Sequence, residues 1–366
     1  MRLSGRILTP GGWREGSLPL DGERLGALRE ESAPRGPLLI PGFIDLHVHG
    51  GDGADVMDGP EGTARVAAFH LRHGTTSLCP TTITRPAEEL TAVVEACAQI
   101  PDDPSRARLL GVHLEGPFLN EERRGAQPAF TRLPDPELTA AWLAAGPVAV
   151  VTLAPELEGA PALIRQLRAA GVRVSLGHSA CSYAEAAAGF AAGAGGVTHL
   201  FNAMSGLRHR RPGLAAAALD PGLEGAEERF HELILDTHHV HPALFRMAHR
   251  AARLCLVTDA IRAAGQGEGP SELGGQAIEV KDGRAVLPNG TLAGSLLTMD
   301  RAFGNAVDAG LSVAEVSQLL SENPARALSR DDIGRLAPGA YADVVELDPD
   351  DLSLRRVWRS GVVLGG

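Results

Sequence analysis

The sequence predicts an α/β fold, a (β/α)8 TIM-like barrel carrying a small β-sandwich domain formed by both chain ends. Three observations lead there. The chain has 366 residues, too many for one small core and about right for such a barrel with an appendage. Short apolar runs alternate with Ala-rich amphipathic stretches, which favours a parallel barrel and keeps an open doubly wound sheet as the alternative. The two ends read differently, with period-two alternation and turn residues.

Candidate strands cover residues 38–46, 75–80, 109–114, 148–153, 172–177, 195–199, 230–236 and 254–259. Amphipathic stretches at 62–73, 87–99, 136–145 and 160–170 lie between them. Ser182 with Glu185 and Ser312 with Glu315 form capping boxes that mark two helix starts. Residues up to about 40 hold short β-like pieces, and ADVVELDPDDLSLRRVWRSGVVL alternates with turns at Pro349 and Gly361. The termini are therefore expected to pair, dividing the chain into 1–40, a barrel over 41–334, and 335–366.

Hydrophobic content of 44% beside 22% charged residues reads as soluble and globular. A net charge of −11 argues against a nucleic-acid surface but leaves small anions open, which need only local positive charge. The first residues show no apolar run suited to a signal peptide or membrane span. Cys79, Cys97, Cys181 and Cys255 form no CxxC pair and read as reduced thiols of a cytoplasmic protein. Lys281 is the sole lysine.

The strongest local signal is PGFIDLHVHG. On a strand, His47 and His49 point to one face, at the end where barrels place active sites. Four more candidates each close a predicted strand: Glu115, His178, His199 and Asp259. Singly each reads plainly as a cap, a core imidazole or a turn carboxylate. Together they would converge on one mouth, and burying so many polar groups without compensation is costly. Histidines and carboxylates suit zinc or another divalent first-row metal.

These residues sit in motifs that resemble the amidohydrolase superfamily and, within it, the N-acetylglucosamine-6-phosphate deacetylases. The resemblance spans nearly the whole chain: PGFIDLHVHGG, GTTSLCPT, GVHLEGPF, GAQP, LAPE, GHS, THLFNAM, RPG, CLVTDA, GTLAGS, NPARAL and GRLAPGAYADVV. HLEGPF with GHS and THLFNAM is more specific than HxH. The resemblance implies that His47 and His49 ligate a first metal, that Glu115 is shared, and that His178 and His199 ligate a second. Asp259 is implied as the acid/base that also touches the first metal. Some members lack the HxH pair and use one ion; retention of both histidines favours two, with zinc expected and iron or manganese accepted. Many binuclear amidohydrolases bridge their metals with a carboxylated lysine. Lys281 falls in a polar EVKDGR turn, so Glu115 is the natural bridge.

The implied reaction hydrolyses the acetamide of N-acetylglucosamine 6-phosphate by metal-activated hydroxide, with Asp259 taking the proton and returning it to the amine. Asn202 and Ala203 are implied near the phosphate. Arg210 matches a phosphate-binding arginine, with Arg208 and Arg211 as neighbours, and His239 a substrate-contacting histidine, with His238 and His241 as rivals. Leu292, Ala293 and Gly294 match a main-chain contact segment, and Ala126 and Gln127 are further contacts. Some relatives have a histidine where this chain has Gln127, and glutamine cannot carry its positive charge. A homodimer is expected from the resemblance. The competing readings are another amidohydrolase (a different N-acetyl amino sugar, a cyclic amide or a deaminase) and a non-catalytic metal scaffold. The scaffold would predict loss of Asp259 or a metal histidine, and none is lost.

Overall fold

The computed structural model describes residues 1–32 and 36–364. A parallel sheet runs in the order Arg108–Leu109, Thr75–Thr82, Val112–Glu115, Val148–Leu153, Arg173–Leu176, Gly196–Val197, and Phe43–Val48 also pairs with Thr75–Thr82. Phe230–Ile234 and Arg253–Val257 form a further parallel pair. Backbone hydrogen bonds carry the curl onward across these pieces. Phe230 N–H donates to Gly195 O (2.9 Å), Leu200 N–H to Glu232 O (2.7 Å) and Asp259 N–H to His47 O (2.8 Å). The curled parallel sheet fits a TIM-like barrel.

Thr75–Thr82 is buried at every position, as expected of a strand covered on both faces. The covering helices follow their sequence pattern. Ala87–Gln99 buries Leu90, Val93, Val94 and Cys97, an i, i+3, i+4, i+7 stripe. Pro136–Ala145 begins with Pro at its first position behind the N-cap Asp135, where a missing N–H costs nothing. Both expected capping boxes are formed.

Strands from the two chain ends share one eight-stranded sheet. Leu38–Pro41 lies at its middle, parallel to Arg2–Thr9 and antiparallel to Val344–Leu347. The sheet has its own apolar cluster, including Leu3, Ile7, Leu18, Leu39, Val344 and Trp358. The buried Arg108 guanidinium binds Asp343 (2.5 Å) and ties this sheet to the parallel one.

Two expectations change. The run 38–46 is two strands, broken at Gly42, which hands the chain from one sheet to the other. A Cβ there would stand 2.2 Å from Thr76 Oγ1, so the crossing requires glycine. The segment around Lys281 is not only a polar turn. Gly269–Leu273, Gln276–Lys281 and Arg284–Val286 form a three-stranded antiparallel sheet. Asp282 and Gly283, both at positive φ (51° and 72°), make its second turn.

Candidate metal centre and cleft

His47 stands on Phe43–Val48 and His49 directly follows that strand, their rings meeting on one side, and Glu115 ends Val112–Glu115. His178, His199 and Asp259 lie just past their strands with positive φ of 47°, 31° and 50°. Non-glycine residues rarely adopt that conformation, and here it accompanies side chains that meet the others at the mouth. Gly294 stands behind Asp259; a Cβ on it would press on the Asp259 carbonyl oxygen at 2.9 Å and Ile261 Cγ2 at 2.5 Å.

The six groups meet closely. His47 Nε2 is 3.1 Å from His49 Nε2 and 3.4 Å from Glu115 Oε1. His49 Nε2 is 3.3 Å from Glu115 Oε2 and 3.1 Å from Asp259 Oδ1. Across Glu115, His178 Nε2 and His199 Nε2 are 3.0 and 3.1 Å from Oε1 and 3.0 Å from each other. His47 is fully buried, while Asp259 keeps 8% exposure and faces the opening.

Electrostatics set this cluster apart from ordinary core. Burial opposes a charge on His47, yet the Glu115 and Asp259 carboxylates outweigh it and hold its pKa well above the usual histidine value. Burial likewise opposes charge on His49, and the same two carboxylates raise its pKa to about 9. Burial would raise Asp259, but His47 and His49 bring it down to about 2.

A cleft of about 350 Å³ opens over the cluster. Of the expected substrate contacts, Ala126, Gln127, Asn202, Ala203, His239, Leu292 and Gly294 line it. Among the three rival histidines, His239 is the one at the cleft; His241 caps the helix Pro242–Ala251 instead. Burial disfavours a charge on His239, but Asp236, 2.6 Å from its Nδ1, outweighs this and raises its pKa. Gln127 accepts from Thr84 N–H (2.7 Å) and donates to Glu115 Oε2.

Two expected contacts fall elsewhere. Ala293 is buried in the apolar cluster of the three-stranded sheet, and its N–H is committed to Ala285 O (3.0 Å). Arg210 is exposed on the 206–212 loop and does not line the cleft. Its neighbours Arg208 and Arg211 line an adjoining cleft, and Arg123 borders both.

The amidohydrolase family model matches residues 38–365. The chain belongs to the amidohydrolase family. An N-acetylgalactosamine-6-phosphate deacetylase of Escherichia coli O157:H7 is 40% identical, the match covering 88% of this chain and 87% of that protein. An N-acetylglucosamine-6-phosphate deacetylase of Bos taurus is 39% identical over 98% of this chain and 92% of the relative. Among solved structures, a mutant N-acetyl-D-glucosamine-6-phosphate deacetylase of Mycobacterium smegmatis, in complex with N-acetyl-D-glucosamine 6-phosphate, superposes with a TM-score of 0.93. It is 36% identical, covering 100% of this chain and 99% of that one.

Amidohydrolases are metal-dependent, and among the described residues of this amidohydrolase chain two His/Glu groups able to hold a metal ion meet at Glu115: His47, His49, Glu115 and Glu115, His178, His199. The donor set fits. His47 Nδ1 faces Glu232 Oε2 (3.1 Å), His49 Nδ1 faces Thr81 O (3.2 Å) and His178 Nδ1 faces Arg123 O (2.9 Å). Those acceptors require the proton on Nδ1, so in the neutral rings each Nε2 lone pair points inward at other lone pairs and at a carboxylate. Such a cluster calls for positive charge at its centre.

Several participants were not foreseen: Glu232 behind His47, Arg123 at the rim, and Glu156. The Glu156 carboxylate receives Ser179 Oγ–H and Ala180 N–H (both 2.7 Å) and pins the loop after His178. LAPE carried a signal for Glu156, whereas Glu232 is one acid within an apolar strand.

Proposed function

We propose that this chain hydrolyses the acetamide of N-acetyl-D-glucosamine 6-phosphate to D-glucosamine 6-phosphate and acetate. The observation that carries the reading is the convergence of four imidazole Nε2 atoms on Glu115, with Asp259 at the opening of a cleft that also holds His239 and Asn202. His47, His49 and Glu115, with Asp259, would hold one divalent ion, and Glu115, His178 and His199 a second. Zinc suits the donors best, and iron or manganese are accepted. A divalent ion there supplies Lewis acidity, acidifying water and polarising a carbonyl.

The chain's own groups do the rest. Asp259 starts ionised, accepts the proton of the attacking water and returns it to the departing amine. Gln127, held by Thr84 and Glu115, faces the cleft as a neutral hydrogen-bonding group beside the acetyl position. His239, made more basic by Asp236, supplies positive charge toward a phosphate, with the Asn202–Ala203 turn beside it. Arg210 completes the phosphate end from the exposed 206–212 loop or from a second copy in a homodimer.

The architecture belongs to the same proposal: a barrel over 41–334, closed by eight strands, and a β-sandwich domain from 1–40 and 335–366. A cytoplasmic setting accords with four free buried cysteines, and among the described residues no helix is long and apolar enough to cross a membrane.

A second reading has a specific observation behind it: the Escherichia coli O157:H7 relative is named for the galactosamine isomer. The test is kcat/KM of metal-loaded protein on N-acetylglucosamine 6-phosphate, N-acetylgalactosamine 6-phosphate and unphosphorylated N-acetylglucosamine. The expected order is that order, with activity lost on chelation. Preference for the galactosamine ester supports the second reading, and full activity in metal-free protein ends both.

A further inference from the structure

Glu232 lies at the middle of Phe230–Ile234 and is fully buried. Its Oε2 stands 3.1 Å from His47 Nδ1, and its main-chain oxygen accepts the N–H of Leu200, the residue after His199. Among the described residues its Oε1 has no hydrogen-bond partner. Arg173 and His113 attract this carboxylate from farther off, but a buried carboxylate with one side-chain hydrogen bond is costly, so the bond to His47 needs a reason.

The neighbouring group His47, His113 and Glu232 could be taken for a separate metal site. His113 rules that out. Its Nδ1 is engaged by Leu46 O (2.9 Å) and its Nε2 by Thr152 Oγ1 (2.7 Å), leaving neither nitrogen for an ion. His113 instead packs edge-on against His47, with ring centroids 4.7 Å apart. His47 thus meets His113 through ring packing and has its Nδ1 directed at one carboxylate.

The other imidazoles are held differently. His49 and His178 face main-chain carbonyls, and His199 Nδ1 has no partner among the described residues. Only His47 has a carboxylate on its outer nitrogen, the arrangement that fixes a ring's tautomer and raises its ligand strength most.

We propose that Glu232 is the positioning residue of the metal centre: it holds His47 with the proton on Nδ1 and strengthens Nε2 as a ligand, and so sets the affinity of the His47/His49 metal position. The inference rests on the metal-centre reading above. Its test is zinc titration of metal-free protein against a competing chromophoric chelator, in native protein, Glu232→Gln and Glu232→Ala, with thermal unfolding of each metal-free form. Native protein is expected to bind two ions. Glu232→Gln, which keeps the shape and a neutral acceptor, should weaken one of them by about 10-fold, and Glu232→Ala by about 100-fold. The other ion should bind as in native protein, and the metal-free variants should unfold close to the native midpoint, which a merely structural role would not allow. Unchanged zinc affinity in both variants overturns the proposal, whether native protein binds one ion or two. Equal weakening of both ions, or a large fall of the metal-free midpoint, overturns it in favour of general structural support. Native protein that binds no zinc overturns the metal-centre reading itself.

Discussion

The floor of the cleft and its rim are built on different terms. The floor is a set of strand ends. His47 and Glu115 stand on parallel strands and His49 directly follows one of them, and each is nearly inaccessible. The rim is loop. Arg123, Asn202 and Ala203 are half-buried, and Arg210 is exposed. Three residues mark the boundary, since His178, His199 and Asp259 occupy the left-handed turn where strand becomes loop. The floor is placed by pairing between strands, whereas the rim depends on how its loops return over the cleft.

The largest expected effect tests that boundary. Asp259→Asn keeps the shape but cannot accept and return a proton at neutral pH. Turnover should fall by about 10²–10⁴-fold, with zinc content and substrate affinity near native, because His239 and Asn202 contact the cleft from other elements. Native turnover with metal bound would remove Asp259 as the acid/base. Loss of metal would make it chiefly a ligand, part of the floor rather than its boundary.

The same division explains what could be read from sequence. The floor was legible because a strand's period of two and its end are local properties: IDLHVHG, VHLEG and VTDA each show them within a few residues. The capping boxes at Ser182 and Ser312 were legible for the same reason. Glu232 was not, because its partner lies 185 residues away and nothing in FHELI distinguishes a buried support from a stray acid. The break at Gly42 was hidden because leaving one apolar sheet for another does not interrupt an apolar run. The placement of Ala293 and Arg210 depends on how loops return, which a motif does not encode.

A second effect sharpens the contrast between charged floor and neutral wall. His70, on Pro60–Arg72, is fully buried beside the floor, with Nε2 donating to Gly50 O (3.0 Å). Burial lowers its pKa to about 4, opposite in direction to His47 and His49. Between pH 6.5 and 4 the unfolded chain takes up a proton that the native His70 refuses. Its contribution to stability is therefore complete above pH 6.5 and lost as pH falls toward 4, by about 3 kcal/mol. Denaturant unfolding of metal-free protein at pH 7, 5.5 and 4 should show a shallower acid decline in His70→Gln, which can still donate to Gly50 O. Identical slopes in both proteins would mean that acid stability is governed elsewhere, with the similarly buried His113 and His231 the next to replace.

The smallest expected effect concerns the rim. Arg210 lies outside the cleft of the single chain, yet a phosphate needs a cation beyond His239, and a guanidinium fork matches phosphate geometry. A charge-assisted hydrogen bond is worth about 1.5–3 kcal/mol, so Arg210→Ala should raise KM for the phosphorylated sugar by about 10–100-fold. It should leave kcat, and activity on the unphosphorylated sugar, nearly unchanged. Arg123→Ala is the comparison, because Arg123 already borders the cleft. If only Arg123→Ala discriminates between phosphorylated and free sugar, the single chain completes its own rim and Arg210 is a solvated loop residue. If Arg210→Ala discriminates, the loop must reach the phosphate in an arrangement beyond the isolated chain. Measuring KM across protein concentrations then separates the two routes: dependence on concentration points to a second copy supplying the arginine, and independence to closure of the 206–212 loop over its own cleft.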